Sequence, residues 1–162
     1  IKVDKSNKFS TKGGRTVYGG GGIIPDVFVP LDTTRATSFY VACNKKATAM
    51  RFASAMFDKY RKSLTDIDDY DALLRFLDNM DIPSQFLAFA RSKDGIQAAP
   101  GEWQETAPYL LPQLRALVGR YSKLGDNAFY KLYLDNDDVV KAALEASSKV
   151  ELQEFRFPNR VD

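Results

Sequence analysis

The sequence predicts a mainly α fold, a multi-helix domain preceded by a short β-strand segment. Three observations lead there. Six of the ten glycines fall before Pro30, among short runs of β-branched residues. Beyond Ser38 glycine is scarce and apolar residues recur at helical spacing. The chain has 162 residues, 44% hydrophobic and 27% charged, which suffices for one ordinary core without disulfide or metal staples.

The head comes first. "RTVYG" and "IIPDVFV" read as short strands bounded by turn residues. Pro25 puts the second run at a sheet edge or a strand entry, because proline cannot donate to a ladder. Four glycines, Gly19 to Gly22, lie between the runs. A phosphate-binding loop would need a Lys and a Ser/Thr after them at a helix start. Neither is present, and a strand follows. The glycine run therefore reads as a turn or bulge that requires positive φ.

The helices follow. Met50, Ala53, Phe57, Tyr60 and Leu64 form one stripe of a helix from about Lys45 to Leu64. Leu73, Leu77 and Met80 repeat the pattern in a shorter helix beginning near Asp69. Pro83 suits a first helical turn, where its missing N–H is no loss. Phe86, Leu87 and Ala90 belong to a third helix ending before "KDG". Pro108 and Pro112 break or start a helix, and Leu110, Leu114, Leu117, Val118 and Tyr121 make its stripe down to Gly125. "GDNAFYKLYL" is a further helix with Asp126 as its cap. "NDDVVKAALEA" is the last, capped by Asn136, with acids in the first turn and Val139, Val140, Ala143 and Leu144 as its apolar residues. The final "KVELQEFRFPNRVD" alternates weakly, as a short strand or ordered tail. The resulting division is residues 1–32, 33–148 and a tail 149–162.

Several chemistries are excluded by composition. There is no histidine, so neither a Ser-His-Asp nor a Cys-His nucleophile can be built within the chain. A single cysteine, Cys43, allows no internal disulfide and no Cys₄ zinc site. It reads as a small buried apolar group. With 23 basic and 21 acidic residues the net charge is +2, too balanced to indicate nucleic acid. No apolar run is long enough for a membrane span. "TDIDDYD" (Asp66, Asp68, Asp69, Asp71) fails as an EF-hand, since position 6 is Asp71 rather than Gly and position 12 is Leu77 rather than Glu. It reads as a helix start capped by Asp68 or a neighbour. No S-x-x-K or G-x-S-x-G occurs. Trp103 and the many Phe and Tyr residues read as core at helical spacing, with an apolar groove between helices left open. No metal or cofactor is expected.

"KFSTKGGRTVYGGGGIIPDVFVP" resembles the end of the catalytic domain of the carboxy-terminal processing peptidases, or tail-specific proteases. That family shows "T-x-x-G-R-x-I/V … G-I-x-P-D-h-x-V", h being apolar. Thr11, Gly14, Arg15 and Val17 match the first half. Gly22, Ile23, Pro25, Asp26, Val27 and Val29 match the second. "VYGGGGI" is similar to the Bacteroidetes-type form of the motif. "QLRALVGRYSKLGDNAFYKLYLDNDDVVKAALE" is similar to the helical extension that closes such proteases. The resemblance implies a serine–lysine hydrolase that cuts near protein C-termini in the periplasm or cell envelope, with protein or peptide substrates. It puts the catalytic serine and lysine upstream of Ile1, and no serine or lysine of this chain matches them. The opening "IKVDKSNKFS" reads as mid-protein strand and turn, consistent with a C-terminal fragment that is itself inactive. Gly14, Arg15, Gly22, Ile23, Pro25 and Asp26 are then structural motif residues, with Arg15 and Asp26 as a candidate ion pair. The head strands would complete the protease sheet, or pair with a second copy along an exposed edge. The alternative reading is a stand-alone helical interaction module.

Overall fold

A computed structural model of the chain describes residues 6–14, 16–19, 27–30 and 36–149. Within these it is mainly helical, with seven α-helices, one π-helical turn and a two-stranded antiparallel sheet.

β1 (Lys8–Ser10) and β2 (Thr16–Tyr18) form a hairpin with Phe9 opposite Val17. Its turn is "TKGG": the Gly14 N–H donates to the Thr11 carbonyl at 2.9 Å. Gly14 has φ 80°, which a residue without Cβ adopts freely. "RTVYG" thus contains a strand as expected, paired with "KFS", a three-residue segment too short to show an alternation of its own. The second expected strand is not seen in its described part: Val27–Pro30 is irregular chain outside the sheet. A strand exists only where a partner offers a ladder, and β1 and β2 are the sheet's two members. Gly20 to Gly22 and the tail from residue 150 lie outside the described residues.

The helical body begins earlier than periodicity indicated. α1 (Ser38–Lys45) is capped by Thr37, whose Oγ1 accepts from the Tyr40 N–H at 3.1 Å. Ala47, at φ 50°, separates α1 from α2 (Thr48–Asp66). α2 buries Ala49, Phe52, Ala53, Met56 and Leu64, while Met50 is 65% exposed and Phe57 and Tyr60 are half-buried. The expected stripe was therefore rotated by about one residue at its start. Non-helical φ/ψ at Tyr60 resets the phase, so one continuous stripe cannot join Met50 to Leu64.

α3 (Tyr70–Asp78) starts at Asp69, whose carboxylate accepts from the Asp71 and Ala72 N–H groups. Leu73, Leu77 and Met80 are buried as read. α4 (Ile82–Phe89) carries Pro83 in its first turn and is capped by Asp81. The chain then continues through a π-helical turn, Ala90–Asp94, to Gly95 at φ 68°, so "KD" is helical rather than beyond the helix.

α5 (Glu102–Gly119) is the hub and touches α1, α2, α3, α4 and α6. Pro108 and Pro112 lie inside it rather than at a boundary. An interior proline costs about 3 kcal/mol. Leu110, Leu114 and Val118 of the same helix are fully buried, and each such side chain returns about 1.5–3 kcal/mol. Tertiary burial thus outweighs propensity. Gly119 sits where α5 meets α6, so closely that a Cβ there would lie 3.0 Å from Leu132 Cδ1.

α6 (Asp126–Leu134) has Gly125, not Asp126, at its cap. Asp126 instead accepts from Arg120 Nε at 2.6 Å. α7 (Asp138–Lys149) is capped by Asp137 rather than Asn136, its Oδ1 accepting from the Val139 and Val140 N–H groups. Asn136 is a residue too early to reach them. Val139 and Leu144, two of the apolar residues named for this helix, are 60% and 66% exposed, and Ala143 is exposed as well.

Candidate functional site

Two places gather chemistry, a polar latch and an open groove. The latch follows from the π-helical turn, which delivers Asp94 beneath the N-terminus of α2. Asp94 Oδ2 accepts from Thr48 Oγ1 at 2.7 Å and Oδ1 from Arg51 Nη1 at 2.5 Å. Lys46 Nζ donates to the Asp94 carbonyl at 2.7 Å. The carboxylate is almost fully covered, and these donors, Thr48 foremost, hold its pKa below the ordinary value. Cys43 lies beside it. Burial, reinforced by the Asp94 charge and opposed by a hydrogen bond with Thr48, pushes its thiol up to about 11. Such a thiol is protonated near neutrality and is a poor nucleophile.

A second carboxylate closes the other end of α1. Glu102 Oε1 accepts from Ser38 Oγ and the Phe39 N–H, and Oε2 accepts from the Ala99 N–H. Beside it Thr37 Oγ1 meets Thr106 Oγ1 at 2.7 Å. These bonds lower the Glu102 pKa, Ser38 first. Both clusters join segments distant in sequence and leave their carboxylates occupied, so they fasten the fold.

The groove, of about 570 Å³, lies between α1, α5 and the α6–α7 turn. Tyr40, Pro108, Tyr109 and Pro112 make one wall. Tyr133, Asn136, Asp137, Asp138 and Val139 make the other, and Val29, Pro30 and Ala36 also line it. Pro108 and Pro112 are one helical turn apart and share a face. Neither has an N–H, so the carbonyls of Gln104 and Pro108 lose their i+4 donor. Sequence reading noted a possible apolar groove but not its residues. The available signal was the pair Pro108/Pro112 at i, i+4 with Tyr109 between them.

Of the motif residues named from sequence, Gly14 is in the hairpin turn. Arg15, Gly22, Ile23, Pro25 and Asp26, and with them the Arg15–Asp26 pair, lie outside the described residues. Among the described motif residues, Val29 alone lines the groove. Trp103 is half-buried, edge-on to Phe39 at 6.3 Å and tilted against Phe86, and so packs as core. Ser38, Ser92, Ser122, Ser147 and Ser148 each donate to a carboxylate or a carbonyl, not to a lysine. Among the described residues no group of three or more Cys, Asp or Glu is arranged to hold a metal, and no helix is long and apolar enough to cross a membrane. No protein-family profile matches the chain, and no curated protein and no solved structure matches it.

Proposed function

We propose that this chain is the C-terminal part of a carboxy-terminal processing serine protease of the serine–lysine type, with its helical domain shaping substrate access or assembly. The observation that carries the reading is the density of the motif between Thr11 and Val29, ten positions in register with the family pattern. The hairpin supports it. All of β1 is exposed, and β2 is exposed save for half-buried Tyr18. A two-stranded hairpin with little burial is marginal alone, so Phe9 and Val17 call for a larger sheet, which a protease domain supplies. The nucleophile and base lie upstream of Ile1, and the chain alone neither hydrolyses peptides nor provides the base. By the same resemblance the protein works in the periplasm or cell envelope on protein or peptide substrates.

The reading frame that encodes the chain tests this. It is expected to contain a G-x-S-A-S-like run and a lysine strand before Ile1. A frame without them removes the protease and leaves the second reading, a helical interaction module. One observation favours that second reading: among the described residues the buried core runs from Phe39 to Leu132 and includes none from β1 or β2.

A further inference from the structure

We propose that the corner where α1 meets α2 and the π-helical turn is a docking surface for an anionic lipid bilayer. The two stretches that meet there, residues 38–57 and 82–101, are described without a break. Between them they hold five cations, Lys45, Lys46, Arg51, Arg91 and Lys93, and one acid, Asp94. That is a local excess of four positive charges, against +2 for the whole chain. The overall balance of charge therefore conceals a concentrated patch.

The latch gathers the five. Lys46 donates to the Asp94 carbonyl, and Arg51 donates to its carboxylate while lying over the Phe89 ring at 6.0 Å. Lys45 and Lys93 directly precede Lys46 and Asp94 in the chain, and Arg91 lies in the same π-helical turn. All five cations are exposed, whereas the Asp94 side chain is 3% exposed. The acid is turned inward and the cations outward. Among the described residues Lys45, Arg91 and Lys93 have no acidic partner. The next acids are engaged elsewhere: Asp58 with Arg61, Asp81 as the cap of α4, and Glu102 at the other end of α1. A cation near a helix C-terminus complements the dipole, which accounts for Lys45 or Lys93 singly but not for five with one acid.

Two features favour a bilayer over a polypeptide or a nucleic acid. Lys45, Lys46, Arg51 and Lys93 line neither the groove described above nor a second one beside Trp103, whereas an extended peptide docks in a groove. Val41, on the same face of α1 as Lys45, and Met50, beside Arg51, are 38% and 65% exposed. Aliphatic side chains among lysines suit the headgroup boundary, where their methyl groups enter and the ammonium groups meet phosphates. Nucleic acid would call for exposed aromatic faces, and Phe89 is half-buried beneath Arg51. Clusters of about four to eight Lys or Arg are the usual footprint on anionic lipid. The docking does not depend on the protease reading.

Flotation of this chain with large unilamellar vesicles tests it, comparing phosphatidylcholine alone with a mixture holding about one part phosphatidylglycerol in three. Binding is expected to the mixed vesicles only, and its loss when salt is raised to about 0.5 M. Lys45→Glu and Lys93→Glu should each weaken it about tenfold or more, at an unchanged urea midpoint. Lys123→Glu, past the C-terminal end of α5, should leave it unchanged. No binding to the mixed vesicles, equal binding to both kinds, binding that survives high salt, or an equal loss with Lys123→Glu would each overturn the proposal. Retention by polyglutamate or by single-stranded DNA without vesicle binding would overturn it in favour of an acidic polypeptide or a nucleic acid.

Discussion

Phe52 stands at the centre of the aromatic packing, edge-on to Phe86 at 5.3 Å and to Phe89 at 5.7 Å, with no exposed surface. Phe52→Ala should cost about 3–5 kcal/mol, read as a lowered urea midpoint. Met50→Ala, two residues away and exposed, should change it by less than about 0.5 kcal/mol. Equal effects would restore the stripe that periodicity alone suggested. Cys43 should resist Ellman's reagent in the native chain and react fully once urea unfolds it, because burial keeps it protonated and covered. Rapid native labelling would contradict that.

The two carboxylate latches give a pH dependence. Asp94 and Glu102 have folded pKa values below their ordinary 3.8 and 4.5. Their stabilisation is complete above those ordinary values. It is lost as pH falls through the lowered folded ones, since the unfolded chain then binds the protons more readily. The urea midpoint should fall below about pH 4.5, and Asp94→Asn should flatten that fall while lowering stability at pH 7. An unchanged acid limb would show that the latch contributes nothing.

At the scale of elements, the existence of α2 to α7 was legible, whereas α1 and the phase of α2 were not. α3 read correctly because its apolar residues alternate with polar ones and an aspartate cap, Asp69, precedes it, and the start of α4 because Pro83 suits a first turn. α2 misled because alanines at 47, 49, 53 and 55 leave the face to be chosen by Phe52, Phe57 and Tyr60, and only packing against α4 and α5 decides among them. α5 misled because two prolines argue against an interior that five neighbouring helices nonetheless impose. The latches were not legible, since Asp94 and Thr48, or Glu102 and Ser38, meet only after α4 and α5 fold back on α1 and α2. Of the candidate site, the prolines and tyrosines were visible but not their convergence. In hydrogen exchange on the monomeric chain, amides of α2 and α5 should be the slowest, whereas those of Phe9 and Val17 should exchange nearly as fast as in an unfolded peptide. Hairpin protection equal to that of α5 would mean that the strands need no larger sheet.

At the scale of the molecule, the helical body from α1 to α6 closes its own core around α5, while the hairpin does not bury its faces. That contrast, together with the motif from Thr11 to Val29, is what the proposed origin in a protease rests on. α7 belongs to neither part fully, with Val139 and Leu144 exposed on a well-capped helix. The measurement that tests the central claim most directly is fluorophosphonate labelling of the product of the complete reading frame, with the modified residue located by peptide mass spectrometry. The expected result is a single labelled serine upstream of Ile1 and no labelling of this chain by itself. A labelled serine within residues 1–162, or a complete product that is not labelled at all, would contradict it.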